Sequence, residues 1–150
     1  VMIQEQLEWE NFDTLYIIDT SGVGEGVVGG VGQKSRMNKR VHEFYSQNCA
    51  NDSTKYANKV TEAWCLFCRA VRKQEIYLLF DKTSVEQLTK RRYKIDKRGR
   101  VIIESKDDYK ARQKGGDMGA VGKSPDRADG LLMAFYHVAE ESPRIKSYEG

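Results

Sequence analysis

A run of apolar residues that ends in an aspartate and a glycine-rich turn constrains the fold of this 150-residue chain most strongly. Residues 15–18 (LYII) form a continuous apolar stretch with β-rich chemistry, which predicts a buried strand. Asp19 follows at once, and glycines occur at six positions between residues 22 and 32. In open α/β folds, ligand-binding groups lie at the carboxyl ends of strands. The sequence therefore predicts an α/β fold with Asp19 near a functional site.

Three segments in the middle of the chain carry clear periodic or turn signals. Residues 56–71 place apolar side chains at steps of three and four, which predicts an amphipathic helix of about four turns. Residues 85–92 predict a shorter helix. Residues 93–95 and 100–103 flank a cluster of turn residues, and this arrangement predicts a β-hairpin.

The remaining segments carry weaker signals, apart from the last helix. Residues 41–45 and 76–80 favour short strands, and residues 105–123 are predicted as a charged loop. The last helix is predicted to have Ser124 as its N-cap and Pro125 in its first position, which are preferred residues at those places. Apolar residues between 131 and 138 supply its packing faces.

Composition and charge narrow the function. No run approaches 18 apolar residues, so no transmembrane helix is predicted. Three cysteines suit a reducing, intracellular setting. Residues 82–123 hold thirteen Lys or Arg against six Asp or Glu. Such a basic block is the electrostatic footprint of a phosphate-backbone partner. A solvated surface that balances the acidic residues 1–19 remains the alternative.

Two motifs that would indicate other chemistry are incomplete. A phosphate-binding loop requires a glycine four residues before Gly-Lys-Ser/Thr. Residues 122–124 supply the end of that motif, but position 117 is Asp117, so no ATP site is predicted. Cys65 and Cys68 lack two further ligands at the spacing of a zinc site. We interpret them as core-facing residues of the helix over residues 56–71.

Three aspartates are candidates for metal binding. Asp126 and Asp129 are three residues apart on the last helix and hence share a face, and Asp19 ends a strand. Carboxylates from a strand end and a facing helix can bind magnesium or manganese. Two such ions activate water and stabilise the leaving oxygen in phosphodiester cleavage. The alternative is that Asp126 complements the helix dipole and Asp129 is a surface residue.

Four motifs resemble, in order, those of the nuclease domain of large terminase subunits from tailed bacteriophages. Residues 16–28 (YIIDTSGVGEGVV) resemble its hydrophobic strand followed by Asp and Gly-Val-Gly. Residues 56–64 (YANKVTEAW) are similar to its Asn-Lys-Arg-Ala-Glu-x-Trp helix, and residues 103–108 (IESKDD) to its Glu-Ser-Lys strand end. Residues 124–131 (SPDRADGL) resemble its closing Ser-Pro-Asp-x-Ala-Asp-Ala-Leu helix, with Gly130 in place of the usual alanine. The resemblance covers about residues 14–138.

The resemblance implies an RNase H-like mixed β-sheet flanked by helices, incomplete at its N-terminal side. Residues 1–140 would form the nuclease domain and residues 141–150 a flexible tail. The implied activity is a metal-dependent endonuclease that cleaves concatemeric double-stranded viral DNA during packaging. By position, Asp19 matches the second catalytic acid of the family and Asp126 the last, with Asp129 its neighbour. These three would bind two Mg²⁺ or Mn²⁺ ions.

The resemblance also implies partners for the rest of the chain. Lys106 and two pairs of basic residues would lie near the DNA backbone: Arg91, Arg92, Lys97 and Arg98. The full protein would meet a portal and a small terminase subunit in the cytoplasm of the bacterial host, without a membrane. The family's Asp-Pro-Ala strand and ATPase domain have no counterpart before Asp19. We therefore expect a C-terminal fragment that cleaves DNA poorly alone and self-associates through an unpaired sheet edge.

Two alternatives stay open at this point. A resolvase-like nuclease of the same fold also ends in an Asp-x-x-Asp helix, and the middle motifs favour a terminase over it. A non-catalytic DNA-binding or motor-docking module would use the same acids structurally. Divalent-ion binding separates this second alternative from a nuclease, because a docking module should bind DNA equally well in chelator.

Overall fold

The structure, a computed structural model, describes residues 16–20, 41–76, 81–114 and 124–141. The chain divides into two compact units, Val1–Ser46 and Gln47–Gly150. The predicted strand over residues 76–80 and the predicted tail lie almost wholly outside the described residues.

The first unit contains two parallel strands. β1 (Tyr16–Asp19) pairs with β2 (Val41–Phe44), so that Asp19 lies opposite Phe44. The N–H of Thr20 donates to the Phe44 carbonyl at 3.1 Å and its hydroxyl donates to the same oxygen at 3.3 Å. Both predicted strands are confirmed, but β1 is half-buried along its length rather than buried.

The second unit contains four helices and one antiparallel hairpin. The helices are α1 (Lys59–Arg72), α2 (Lys82–Lys90), α3 (Lys106–Lys114) and α4 (Asp126–Glu141). The hairpin pairs β3 (Tyr93–Ile95) with β4 (Val101–Ile103). No helix in the described part of the chain is long and apolar enough to cross a membrane.

Helix α1 begins three residues later than its apolar pattern predicts. Asn58 caps it, because the Asn58 side chain accepts hydrogen bonds from the N–H of Thr61 at 3.1 Å and the Thr61 hydroxyl at 2.5 Å. Tyr56 precedes the helix and forms an isolated parallel bridge with Val101 of β4. The apolar pattern over residues 56–71 thus combines a helix with a residue that packs beside the hairpin.

The predicted hairpin is confirmed, and Asp96 organises its turn. The Asp96 carboxylate accepts hydrogen bonds from the backbone N–H groups of Arg98 at 2.8 Å and Arg100 at 2.9 Å. Gly99 has a φ of +78°, a left-handed conformation that favours glycine. Local turn chemistry therefore sets the register of the two strands.

Helix α3 occupies residues that the sequence predicted as a charged loop, so that prediction is wrong for residues 106–114. Ser105 starts the helix, because its hydroxyl oxygen accepts from the Asp108 N–H at 3.1 Å and its carbonyl from the Tyr109 N–H at 3.0 Å. Tyr109 is buried and anchors the helix. One apolar side chain among charged ones gives no periodicity to detect.

The core of the second unit lies mainly between α1 and α4. The rings of Phe67 and Phe135 meet edge to face, with centroids 5.5 Å apart. Ala63 and Trp64 of α1 and Leu132 of α4 are also buried.

The start of α4 differs from the predicted cap. The Ser124 hydroxyl donates to the Asp126 carboxylate at 2.6 Å instead of accepting from the helix. Pro125 accepts the first helical hydrogen bond, from the Asp129 N–H at 3.0 Å. Gln87 of α2 accepts from the Ala128 N–H at 3.0 Å, so a neighbouring helix supplies the cap.

The cysteines of α1 are less buried than predicted. Cys65 is half-buried and Cys68 is exposed, so the interpretation of both as core-facing is corrected. Burial of their sulfur atoms still raises the pKa of both thiols.

Candidate functional site

The first turn of α4 brings three of the predicted site residues together. The ammonium group of Lys106, at the start of α3, lies 3.1 Å from Asp129 Oδ2 and 3.6 Å from Asp126 Oδ1. The side chain of Asp129 is 7% exposed, whereas that of Asp126 is 72% exposed. One carboxylate is thus held inside the protein and the other stands in water, with a cation between them.

Arg91 contacts the opposite side of Asp129. Its Nη1 donates to Asp129 Oδ1 at 2.6 Å, and its side chain is 3% exposed. Its Nε donates to the Glu104 carbonyl at 2.9 Å, and its guanidinium lies 5.3 Å from the Trp64 ring centroid. The expectation that Arg91 lies near the DNA backbone is corrected, because the side chain points into the protein.

The two oxygens of Asp129 have different surroundings. Oδ1 accepts the Arg91 hydrogen bond, whereas Oδ2 is buried without a hydrogen bond among the described residues. Lys106 is within ion-pair distance of Oδ2 but does not satisfy hydrogen-bond geometry. A buried carboxylate oxygen in this state has a strong requirement for a nearby cation.

A second ion pair supports the strand end next to the site. Arg112 of α3 donates to both carboxylate oxygens of Glu104, at 2.8 and 2.7 Å. It also donates to the Lys90 carbonyl at 2.7 Å. The Arg112 guanidinium lowers the pKa of Glu104. This clamp ties the end of β4 to the end of α2, immediately before Arg91.

Sequence reasoning missed Trp64, Glu104 and Arg112 as neighbours of the site. Arg91 and Arg92 were treated as one basic pair, although one structural signal separates them. Arg91 has an extended backbone after α2. Consecutive side chains of an extended segment point in opposite directions. A helix ending just before such a pair therefore predicts that one arginine faces inward.

The third predicted acid, Asp19, lies in the first unit at the carboxyl end of β1. Its role beside Asp126 and Asp129 stays a prediction. Within the described ranges, no group of three or more His, Cys, Asp or Glu residues is arranged to hold a metal ion. The second unit contributes Asp126 and the buried Oδ2 of Asp129, and such oxygen donors suit Mg²⁺ or Mn²⁺.

The hairpin carries most of the other predicted DNA contacts. We call residues 92–100 the basic hairpin; Arg92, Lys94, Lys97 and Arg98 are exposed on it. Arg100 instead pairs with Asp96 at 2.9 Å. Tyr93 and Ile95 are 70% and 57% exposed on β3. Apolar side chains among cations are unusual on a surface that faces only water.

Comparison with solved structures identifies a similar fold. A lysine-to-alanine mutant of the nuclease domain of the large terminase subunit of bacterial virus Sf6, with manganese, is 21% identical at a TM-score of 0.57. The match covers 79% of this chain and 63% of that chain. The nuclease domain without the mutation is 20% identical at a TM-score of 0.56, covering 80% and 64%. The same mutant with calcium is 21% identical at 0.56, covering 79% and 63%.

These matches confirm the predicted fold class. The chain has the mixed α/β, RNase H-like fold of a terminase nuclease domain, as the motifs indicated. It spans somewhat less than two thirds of the length of the Sf6 domains. Comparison with protein-family models and with curated proteins gave no match.

Proposed function

We propose that this chain is the nuclease portion of a phage or prophage large terminase subunit. Its activity would be divalent-metal-dependent cleavage of concatemeric double-stranded viral DNA during packaging, in the cytoplasm of the bacterial host. The observation that carries the proposal is the placement of Asp126, Lys106 and Asp129 together, in this fold, on the first turn of α4. The full protein would work with a portal and a small terminase subunit.

In this proposal, Asp19, Asp126 and Asp129 hold Mg²⁺ or Mn²⁺. Such ions, when bound in pairs, activate water and stabilise the leaving oxygen. Asp129 offers its buried Oδ2, and the exposed Asp126 can turn towards the same side. Lys106 balances both carboxylates while no divalent ion is bound. Its ammonium group, 40% exposed, could then contact a DNA phosphate. Sf6 domains solved with manganese and with calcium support a divalent ion.

The basic hairpin is the proposed DNA-binding surface. Arg92, Lys97 and Arg98 project cations that form no ion pair among the described residues of the structure. Contacts from such side chains to phosphates are independent of sequence and weaken with salt. Tyr93 and Ile95 on the same hairpin could pack against sugars in a groove.

A docking module remains the second candidate, for one specific reason. Asp129 already has Arg91 and Lys106 at 2.6 and 3.1 Å, so its charge is balanced without a divalent ion. In that case the acids would be structural, and the DNA surface alone would function.

Manganese binding separates the two candidates. We expect calorimetry to show uptake of Mn²⁺ by the chain, because carboxylates in one cleft repel and a divalent cation relieves that repulsion. Asp126→Asn should weaken the uptake, whereas Asp108→Asn should not. Asp108 is a matched control, since it is an exposed aspartate in the first turn of α3.

The same variants are then tested for DNA binding with Mn²⁺ and with chelator. A nuclease site predicts tighter binding with Mn²⁺, since the ion bridges phosphate and carboxylate, and loss of this gain in Asp126→Asn. No Mn²⁺ uptake at millimolar concentration, or equal DNA binding in chelator, would overturn the nuclease proposal in favour of a docking module.

A further inference from the structure

Arg91 has a set of contacts that DNA binding does not explain. It forms an ion pair with Asp129 at 2.6 Å in which the two side chains are 3% and 7% exposed. Removing two charges from water is costly unless their geometry is well defined and further hydrogen bonds are made. The pair therefore requires a reason beyond surface charge.

The orientation of the Arg91 guanidinium is fixed from three directions. Nη1 donates to Asp129, Nε donates to the Glu104 carbonyl at 2.9 Å, and the group lies over the Trp64 ring. Only a planar group with several donors in fixed directions can make all three contacts. The Glu104 carbonyl is itself held, because Arg112 clamps the Glu104 carboxylate.

This arrangement determines which oxygen Asp129 can offer. Oδ1 is occupied by Arg91, so the buried Oδ2 is the oxygen that faces Lys106. A carboxylate held in this way can bind a cation through one oxygen but not through both. Small ions such as Mn²⁺ and Mg²⁺ accept single oxygens at short distances, whereas Ca²⁺ readily accepts both oxygens of a carboxylate.

We infer that Arg91 is a positioning residue, which fixes Asp129 so that a divalent ion meets Oδ2 alone. The inference rests on the proposed function, because it requires Asp129 to be a metal ligand. Arg91 touches neither metal nor substrate in this role. It acts as residues behind metal ligands generally do, by orienting the ligand.

The test is the charge-conserving variant Arg91→Lys, compared by calorimetry with Mn²⁺ and with Ca²⁺. Lysine keeps the positive charge but cannot reproduce the planar fork, so Mn²⁺ affinity should fall about tenfold or more. Ca²⁺ affinity should fall several-fold less, because the released carboxylate can bind through both oxygens. A purely structural ion pair would not change the ratio of the two affinities.

The matched control is Arg100→Lys, which alters another Arg–Asp pair, with Asp96 in the hairpin turn. It should leave both affinities unchanged. Circular dichroism at the assay temperature verifies folding. Should Arg91→Lys not fold, Arg112→Lys replaces it. This variant loosens the clamp on Glu104 and should lower the Mn²⁺ affinity in the same direction.

Asp129→Asn distinguishes the two levels of the argument. Loss of Mn²⁺ binding in Asp129→Asn together with unchanged Mn²⁺ and Ca²⁺ affinities in folded Arg91→Lys overturns the role of Arg91 alone. Unchanged Mn²⁺ binding in Asp129→Asn removes Asp129 from the metal site, and then the proposed site fails whatever Arg91 does.

Discussion

Replacing Glu62 with glutamine should destabilise the second unit, because this one buried carboxylate accepts three hydrogen bonds. Glu62 lies in the first turn of α1 and is 4% exposed. Its Oε2 accepts from the Asn51 N–H at 2.8 Å and the Tyr136 hydroxyl at 2.8 Å. Its Oε1 accepts from the Asp52 N–H at 2.9 Å. The carboxylate thus joins the segment before α1 to helix α4.

The magnitude follows from the number of acceptor oxygens. Glutamine has one, and placing it at Oε2 preserves two of the three hydrogen bonds. Its NH₂ group then faces the Asp52 N–H, so a buried donor loses its acceptor. A hydrogen bond to a charged group contributes about 1.5–3 kcal/mol. The neutral amide is cheaper to bury, which offsets part of the weakening of the other two bonds. We expect a net loss of about 2–3 kcal/mol in the free energy of unfolding.

Urea unfolding measures this loss. Trp64 is buried in the second unit, so its fluorescence reports on that unit once Trp9 is replaced by phenylalanine. With a slope near 2 kcal/mol per molar urea, the midpoint should fall by about 1 M or more. Glu86→Gln is the control, since Glu86 is an exposed helical glutamate paired with Lys90 at 3.7 Å, worth less than about 0.5 kcal/mol. Equal midpoints for the two variants would refute the reasoning.

Two further predictions concern acid and salt. Lys55 lowers the pKa of Asp52 to about 2, and Arg112 lowers that of Glu104. Both groups therefore stabilise the fold fully above their unfolded values and lose this contribution as the pH falls towards 2. The urea midpoint should drop below about pH 4.5, and a flat profile to pH 2.5 would contradict this. DNA affinity should depend less on salt, by roughly 0.9 per lost phosphate contact, after reversal to glutamate of three residues of the basic hairpin. These residues are Arg92, Lys97 and Arg98. Arg72→Glu on α1 is the control, and an equal slope would mean that the hairpin faces away from DNA.

The elements that could be predicted from sequence are those set by local interactions. The hairpin follows from one aspartate and one glycine, because Asp96 bonds to the turn backbone and Gly99 takes a left-handed conformation. Helix α1 follows from its apolar steps, and helix α4 from its apolar face and the proline at its start. In each case the signal and the structure lie within about one turn of chain.

Other elements depend on contacts that sequence spacing does not contain. Helix α3 is charged almost throughout, and its single anchor, Tyr109, is buried by tertiary packing. The cap of α4 comes from Gln87, forty-one residues before Ala128. The pairing of Asp126 and Asp129 on one face could be predicted, but their unequal exposure could not. That difference arises because Arg91, from another helix end, closes over Asp129 alone.

The basic block shows why counting charges overstates a DNA-binding surface. Within the described part of this block, five basic residues form ion pairs with acidic side chains of the second unit: Lys90, Arg91, Arg100, Lys106 and Arg112. Their charge is largely used within the protein. The extended backbone after α2 then separates two neighbouring arginines, so that Arg91 points inward to Asp129 while Arg92 remains exposed. If the chain binds DNA, the affinity must come from the basic hairpin, and the inward cations must act on the carboxylates instead.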